Sequence, residues 1–269
     1  MEDIVDEIGY LVKDGVREVT LLGQNVNSYG KNLYGRSRFA DLLRAVGDTG
    51  IQRIRFTSSN PHDLTDEIID AMAETPQVMP HLHLAVQSGS DRVLKAMRRK
   101  YTSDDYRRLA GRLRERIPGI ALTTDIIVGF PGETEEDFQD TLKLVDDVRF
   151  NAAFTFIYSK RKGTPAAKME IGATPEEIQD RFNRLVEHVQ DNALASNLEE
   201  VGKDVVVLVE GTSKRFDDIM VGHSEKMVTV HFPIPEGFSA EELIGKFVPV
   251  HVDEAKTWYL KGAMKGEAY

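Results

Sequence analysis

No cysteine occurs among the 269 residues. That excludes disulfides, a cysteine nucleophile and any thiolate-held metal or cluster ligated by this chain. Long apolar runs are missing too, so no membrane-spanning helix is expected. Met1 is followed at once by Glu2 and Asp3, which is not the start of a secretory signal, and a cytoplasmic setting is expected. Basic residues are in deficit, 34 Lys and Arg against 44 Asp and Glu, for a formal net charge of -10. Such a balance opposes unspecific attraction to a polyanion but leaves room for a local basic face. There is no Walker loop, no dinucleotide fingerprint and no serine-histidine-acid pattern.

What is present is an alternation. The chain opens with an amphipathic helix over 2–13, and short apolar strands are predicted at 18–22, 51–56, 81–86, 120–128 and 152–158. Helices are predicted between them and over 175–198. Strand and helix in alternation predict a parallel sheet. A parallel barrel normally begins with a strand, so one β unit is expected to be missing at the start. Thr102 with Asp105, Thr134 with Asp137, and Thr174 with Pro175 and Glu177 read as helix N-caps. After residue 200 the texture changes to β-type runs at 204–210, 219–222, 227–231, 246–252 and 258–261, which predicts a five-stranded OB-like barrel. The domain boundary is placed near Asn197, giving an α/β domain over 1–196 and a β-barrel over 197–269.

The junctions carry the chemistry. In an α/β barrel, the loops after the strands hold the ligand-binding side chains. Gln24, Asn25 and Asn27 follow the first strand and can each donate and accept hydrogen bonds. They suit a neutral polar ligand such as a nucleoside or an amino-acid zwitterion, or they form an ordinary turn. Ser59 follows the second strand, and Gln87, Ser88 and Ser90 follow the third. Asp125 lies within an apolar strand, where it must bond a neighbouring strand end or face a ligand. Gly129 and Gly132 allow backbone to approach a flat ligand. Glu133, Glu135, Glu136 and Asp137 read as acids complementing a helix N-terminus. His81 and His83 share a strand face with no partner that suggests a metal site. Ten cations between Arg92 and Arg116 form either a solvated helix surface or a phosphate-contacting face.

Five stretches carry a resemblance: TLLGQNVNSYG from Thr20, TSSNPHD from Thr57, HLAVQSGSDRVLKAMRRKYT from His83, TDIIVGFPGETEEDF from Thr124 and FIYSKRKGTPAA from Phe156. In order and spacing they resemble the radical S-adenosylmethionine methylthiotransferases. VLVEGTSKR at Val207–Arg215 resembles that family's TRAM domain, and Gly23–Asn27 resembles its MiaB-type tRNA branch. The resemblance implies a partial (βα)6 radical SAM barrel lacking its first strand, followed by an RNA-binding TRAM barrel. It implies transfer of a methylthio group to carbon 2 of an isopentenylated adenosine beside the tRNA anticodon. The implied cofactors are S-adenosylmethionine and four-iron four-sulfur clusters, and the implied partner is the tRNA anticodon arm, met by a monomeric enzyme that touches no membrane. The family's cluster cysteines and CxxxCxxC loop would lie upstream of Met1, so the chain as written is expected to be inactive alone.

By motif position, Gln24, Asn25, Asn27, Ser59, Gln87, Ser90, Asp125 and Gly129 are the candidates for binding the cofactor. Arg98, Arg99, Lys100, Lys214 and Arg215 are the candidates for contacting RNA. No catalytic residue and no metal ligand is assigned. Two alternatives stand beside this reading: a non-catalytic RNA-binding module, and the ribosomal protein S12 branch of the same family.

Overall fold

The structure, a computed structural model, describes residues 1–269 as two compact units, Met1–Val189 and Gln190–Tyr269. The first contains α1 (Glu2–Lys13), β1 (Glu18–Leu21), α2 (Lys31–Tyr34), α3 (Phe39–Gly47), β2 (Arg53–Phe56), α4 (Asp66–Glu74), β3 (His81–His83), α5 (Asp91–Ala96), α6 (Ser103–Arg116), β4 (Ala121–Val128), α7 (Glu135–Val148), β5 (Ala152–Ile157) and most of α8 (Pro175–Leu198). The second contains β6 (Asp204–Thr212), β7 (Ile219–His223), β8 (Thr229–Pro233), α9 (Ala240–Leu243), β9 (Phe247–Ala255) and β10 (Tyr259–Met264). No helix is long and apolar enough to cross a membrane.

In the first unit β1 pairs with β2, and β3, β4 and β5 pair in that order, all parallel. Isolated bridges from Ile54 to Val78 and from Ser59 to Leu84 join the two groups. The five expected strands are therefore present. Both outer strands pair on one side only. Beside them Leu22, Phe154 and Phe156 are exposed, the kind of apolar edge that invites association. The core lies between sheet and helices, with Phe39, Leu43, Ile54, Leu82, Tyr106 and Phe138 fully buried. Each contributes about 1.5–3 kcal/mol of apolar burial.

The third strand is shorter than its apolar run predicts, and the reason is side-chain competition. The Thr124 hydroxyl accepts the Val86 N–H at 2.9 Å and donates to the Leu84 carbonyl at 2.8 Å. Tyr106 also donates to Leu84, at 2.6 Å, and Tyr101 donates to Val86 at 3.1 Å. With the Leu84 carbonyl and both Val86 backbone groups taken by side chains, the ladder beyond His83 thins to isolated bonds such as Gln87 N–H to Asp125, and Gln87 sits in the left-handed region at φ 75°.

Five of the ten cations of the basic run form ion pairs: Arg92 with Asp137, Arg107 with Asp104 and Asp147, Arg108 with Asp105, Arg112 with Asp66, and Arg116 with Asp70. One expectation is corrected. The acids after Gly132 do more than complement a helix dipole. Glu133 and Asp137 are buried and bind other elements, as set out below. The capping boxes at Thr102 and Thr134 form as expected, and at Thr174 the two backbone N–H bonds of a capping box join Thr174 and Glu177.

In the second unit, β6 pairs with both β7 and β9, and β10 pairs with both β8 and β9, so the ring β10-β8-β7-β6-β9 is closed. Val207, Val230, Val248 and Val250 fill it. Register shifts at Val209/Gly211 and Lys261/Gly262 mark bulges, which sharpen the bend that closure needs.

Candidate functional site

The polar strand-end loops are all at the C-terminal ends of the parallel strands, but they do not converge on one cavity. Gln87 and Asp125 line a cavity of about 610 Å³. It is completed by Phe130, Phe156, Tyr158, Arg98, Arg99 and Arg161, among others. The Phe130 and Tyr158 rings meet edge to face at 5.3 Å. Gln87 is buried, and its side-chain amide makes no hydrogen bond within the chain. The Tyr158 hydroxyl is buried and likewise unpartnered. Asp125 faces His83 Nε2 at 3.4 Å, and Thr123 holds the other ring nitrogen at 3.1 Å. Burial, with Arg55 and His83 nearby, pushes His81 down to about 3, so it is a neutral imidazole at pH 7.

Asn25, Asn27 and Ser59 occupy the loops after β1 and β2, outside that cavity. Asn25 donates to Asp63 at 2.6 Å, while its carbonyl oxygen is buried and unpartnered. Asn27 is fully buried, and both atoms of its amide lack partners, as does the Ser59 hydroxyl. An unmade hydrogen bond at a buried polar group costs about 1–3 kcal/mol. Unpaired polar atoms gathered at strand ends fit a polar ligand that would satisfy them. Gln24 is exposed.

Ser90 takes a different position. It is the N-cap of α5, accepting the Val93 N–H and donating to Asp137 at 2.6 Å. Burial alone would raise the Asp137 carboxyl. Hydrogen bonds from Arg92, Ser90 and Thr134 override it and hold the group well below the usual carboxylate range. Gly129 is next to the cavity at φ 70°, and a Cβ there would meet Ile178 at 2.8 Å.

Sequence reading missed the group that fixes this turn. The Gly129 N–H donates to Glu133 at 3.1 Å, and Arg181 on α8 pairs with Glu133 at 3.4 Å and with Glu135 at 3.1 Å. Burial pushes the Glu133 carboxyl up, and the Gly129 N–H and Arg181 pull against it. It also missed Phe130, Tyr158 and Arg161 as cavity residues. The signal was available, since FIYSKRKG places an aromatic and three cations just past a strand.

The barrel carries a second candidate site. Lys214, Arg215 and Phe216, in the β6–β7 loop, line a groove of about 950 Å³ with His231, Tyr259 and Lys261. The His231 ring stacks on Tyr259 at 4.9 Å and 30°. Burial and the nearby Lys261 lower His231 below the usual imidazole value. Flat rings flanked by cations can stack a base and hold its phosphate. Arg98 and Arg99 lie on the first cavity, whereas Lys100 lines a different depression beside His62.

A parallel strand–helix sheet with polar strand ends, followed by a closed five-stranded barrel, defines the class: an α/β-barrel enzyme fold with an appended OB-like domain. Residues 1–145 match the radical SAM superfamily and residues 198–265 match the TRAM domain, and the chain belongs to the radical SAM superfamily. Three curated relatives carry the name tRNA-2-methylthio-N(6)-dimethylallyladenosine synthase. That of Acetivibrio thermocellus is 51% identical over 98% of this chain and 54% of its own length. That of Alkaliphilus oremlandii is 49% identical over 97% and 54%, and that of Staphylococcus aureus 46% over 99% and 51%. The chain thus spans about half the length of the curated relatives it matches. Among solved structures, coproporphyrinogen III oxidase from Escherichia coli, a radical SAM enzyme, shares the fold with a TM-score of 0.52 at 13% identity, over 92% of this chain and 60% of that one.

Membership implies S-adenosylmethionine and a four-iron four-sulfur cluster. The residues present do not fit the cluster: there is no thiolate, and no three His, Asp or Glu side chains gather at a metal-sized site. For the organic cofactor the chemistry is available, since the buried amide atoms of Asn25 and Asn27 and the Ser59 hydroxyl are donors and acceptors without a partner in the chain.

Proposed function

We propose that this chain is the cofactor- and RNA-handling portion of a cytoplasmic, monomeric tRNA methylthiotransferase, with the functional boundary between its domains near Asn197. The observation that carries the reading is the set of unpartnered buried polar atoms at the strand ends. A fold does not leave such groups unpaired without cost, and their pairing by ligand would recover it.

Asn25, Asn27 and Ser59 would hold the polar parts of S-adenosylmethionine, with Gln24 at the outer rim. Gln87, Asp125 and the Gly129 turn would face the apolar-walled cavity beside β5, where a purine would fit against Phe130 and Tyr158. Ser90 would act at one remove, by fixing Asp137 and the start of α5. Once reduced by an iron–sulfur cluster, for which this chain has no thiolate, the bound cofactor would supply the hydrogen-abstracting radical of this enzyme class. This chain's residues bind, orient and exclude water. Lys214 and Arg215, with the Tyr259–His231 pair, would hold RNA on the barrel.

The test joins this chain to the half of the Acetivibrio relative that it does not match. Reconstituted without oxygen and supplied with unmodified tRNA, the joined protein should yield methylthiolated adenosine by mass spectrometry. An assembly that reconstitutes its cluster and cleaves S-adenosylmethionine, yet leaves every tRNA unmodified, rules the reading out.

A further inference from the structure

Compact units of one chain are usually joined by an exposed, flexible linker, but the boundary here falls inside a helix. The division between Val189 and Gln190 lies within α8, which runs unbroken over Pro175–Leu198. A helix of that length is about 36 Å long. After Pro175 it contains neither glycine nor proline, the residues at which helices usually kink. A shift imposed at one end of such a helix is passed along it.

Each end of α8 is held by directional contacts to a turn. Near its start, the buried Arg181 donates to the Glu133 carbonyl at 3.2 Å and to the Glu133 carboxylate at 3.4 Å. Glu133 in turn accepts the Gly129 N–H at 3.1 Å. Ile178, one turn before Arg181, lies so close that a Cβ at Gly129 would meet it at 2.8 Å. α8 therefore sets the turn that begins at Gly129. Near its end, the buried Asn197 amide donates to the Lys256 and Thr257 carbonyls at 2.9 and 3.0 Å. Those carbonyls belong to the turn that leads into β10, whose first residue is Tyr259, the ring stacked on His231 in the barrel groove. Glu200, just past the helix, takes Lys226 from the β7–β8 turn at 2.9 Å. Apolar packing alone would let a helix slide, whereas satisfied buried hydrogen bonds fix its position. Here they fix it against two turns, and each turn borders a candidate ligand surface.

We propose that α8 couples those two surfaces: RNA held in the barrel groove favours, by way of Asn197 and Arg181, the form of the Gly129 turn that binds a purine. The inference rests on the RNA and purine readings given above. The cofactor and the substrate base both carry a purine, and the coupling concerns that shared group. It requires no contact between the two ligands, and it acts equally in both directions. Its use would be timing, since an enzyme that consumes its cofactor would hold the purine loosely until RNA is in place.

The experiment titrates this chain with S-adenosylhomocysteine by isothermal calorimetry, alone and with a saturating RNA hairpin. The hairpin carries an abasic position in place of its loop adenosine, so it can occupy the groove without offering that adenine to the cavity. A second arm repeats the titration with the intact hairpin, and competition seen only there assigns the cavity's purine to the RNA and leaves the coupling standing. In wild type the abasic hairpin should tighten S-adenosylhomocysteine binding about five-fold and slow deuterium exchange over residues 129–133. Gln190→Gly combined with Asp191→Gly softens α8 at two exposed positions between the anchors. In that variant each ligand alone should bind as in wild type, while the gain falls below about two-fold. Asn197→Ala releases the far anchor without altering the helix and should lower the gain in the same way, which covers the case in which the glycine pair does not fold. A gain that survives in the folded variants overturns the coupling, and so does the absence of any gain in a wild type that binds both ligands. A gain without slower exchange over 129–133 takes the turn out of the path and overturns it too. If wild type binds no hairpin, or no S-adenosylhomocysteine, the corresponding reading falls and the coupling falls with it.

Discussion

The two units differ in how their polar side-chain atoms are satisfied. The barrel closes on itself, and none of its buried polar side-chain atoms lacks a partner. The α/β unit keeps two open edges and concentrates its unpaired polar atoms at the strand ends, in Asn25, Asn27, Ser59 and Tyr158. It also holds Ser58, Gln87 and Arg98 in left-handed backbone next to those ends. A closed ring has no position at which leaving a group unsatisfied is useful, and its ligand surface is an outer face. A parallel sheet gathers its loops at the C-terminal ends of its strands, and the unpaired atoms of Asn25, Asn27 and Ser59 lie there.

The largest expected effect breaks the barrel. A Cβ at Gly262 would lie 1.9 Å from the His251 carbonyl oxygen. Gly262→Val should therefore cost about 4 kcal/mol or more and open the ring. Trp258 is the only tryptophan, so its fluorescence reports the barrel alone, while the α/β unit should keep its helical signal. Simultaneous loss of both signals would mean that the units do not unfold independently.

Next comes the buried pair behind the Gly129 turn. Arg181→Met leaves Glu133 charged and buried, at an expected cost of about 3–5 kcal/mol at neutral pH. Glu133→Gln in the same chain should restore more than half. Because burial raises the Glu133 carboxyl, the ionised form is the unfavourable one, and the Arg181→Met penalty should shrink as the pH falls and Glu133 protonates. Denaturant melts of the single and double variants at several pH values measure both effects.

Asp137 has the opposite sign. Its carboxyl is held low by Arg92, Ser90 and Thr134, so its contribution is present above the usual aspartate range and is lost as the pH drops toward the depressed folded value. Asp137→Asn should cost about 1.5–3 kcal/mol at neutral pH. The gap from wild type should close below about pH 4, and a gap constant with pH would show that the charge contributes nothing.

The smallest effect sharpens the comparison most. Ser59→Ala removes a hydroxyl that is buried and unpaired, so stability should stay the same or rise by up to about 1 kcal/mol. Isothermal titration should at the same time show weaker S-adenosylmethionine binding. If binding is untouched, the unpaired atoms after β1 and β2 have no part in holding the cofactor.

Periodicity was enough to read all ten strands, and Thr-x-x-acid boxes gave the caps at Thr102, Thr134 and Thr174, because both act locally; the Ser90 cap was read as a ligand contact instead. The end of the third strand was not legible. It depends on Thr124, Tyr101 and Tyr106 reaching across from elsewhere in the chain to take the backbone groups of Leu84 and Val86. The polar strand-end loops could be picked out by composition, but their division into two places could not. Nor could the fate of the arginines. Arg112 and Asp66 are 46 residues apart, and only the packing of α6 beside α4 brings them together. Glu133 looked like any first-turn acid until α8 supplied Arg181, 48 residues later.

Closure of the barrel also sets a schedule for synthesis. β6 finds one of its two partners only when β9 arrives, its Asp204 pairing with His251, and the ring is complete only once β10 has paired with β8 and β9. A nascent chain must therefore leave the ribosome through Met264 before the ring as a whole is free of open edges. The strand–helix units ahead of it pair with near neighbours in sequence and can assemble as they emerge. During that interval β6, β7 and β8 stand as an incomplete sheet, and a ribosome stalled between β8 and β10 would present it to chaperones with a folded α/β unit already upstream.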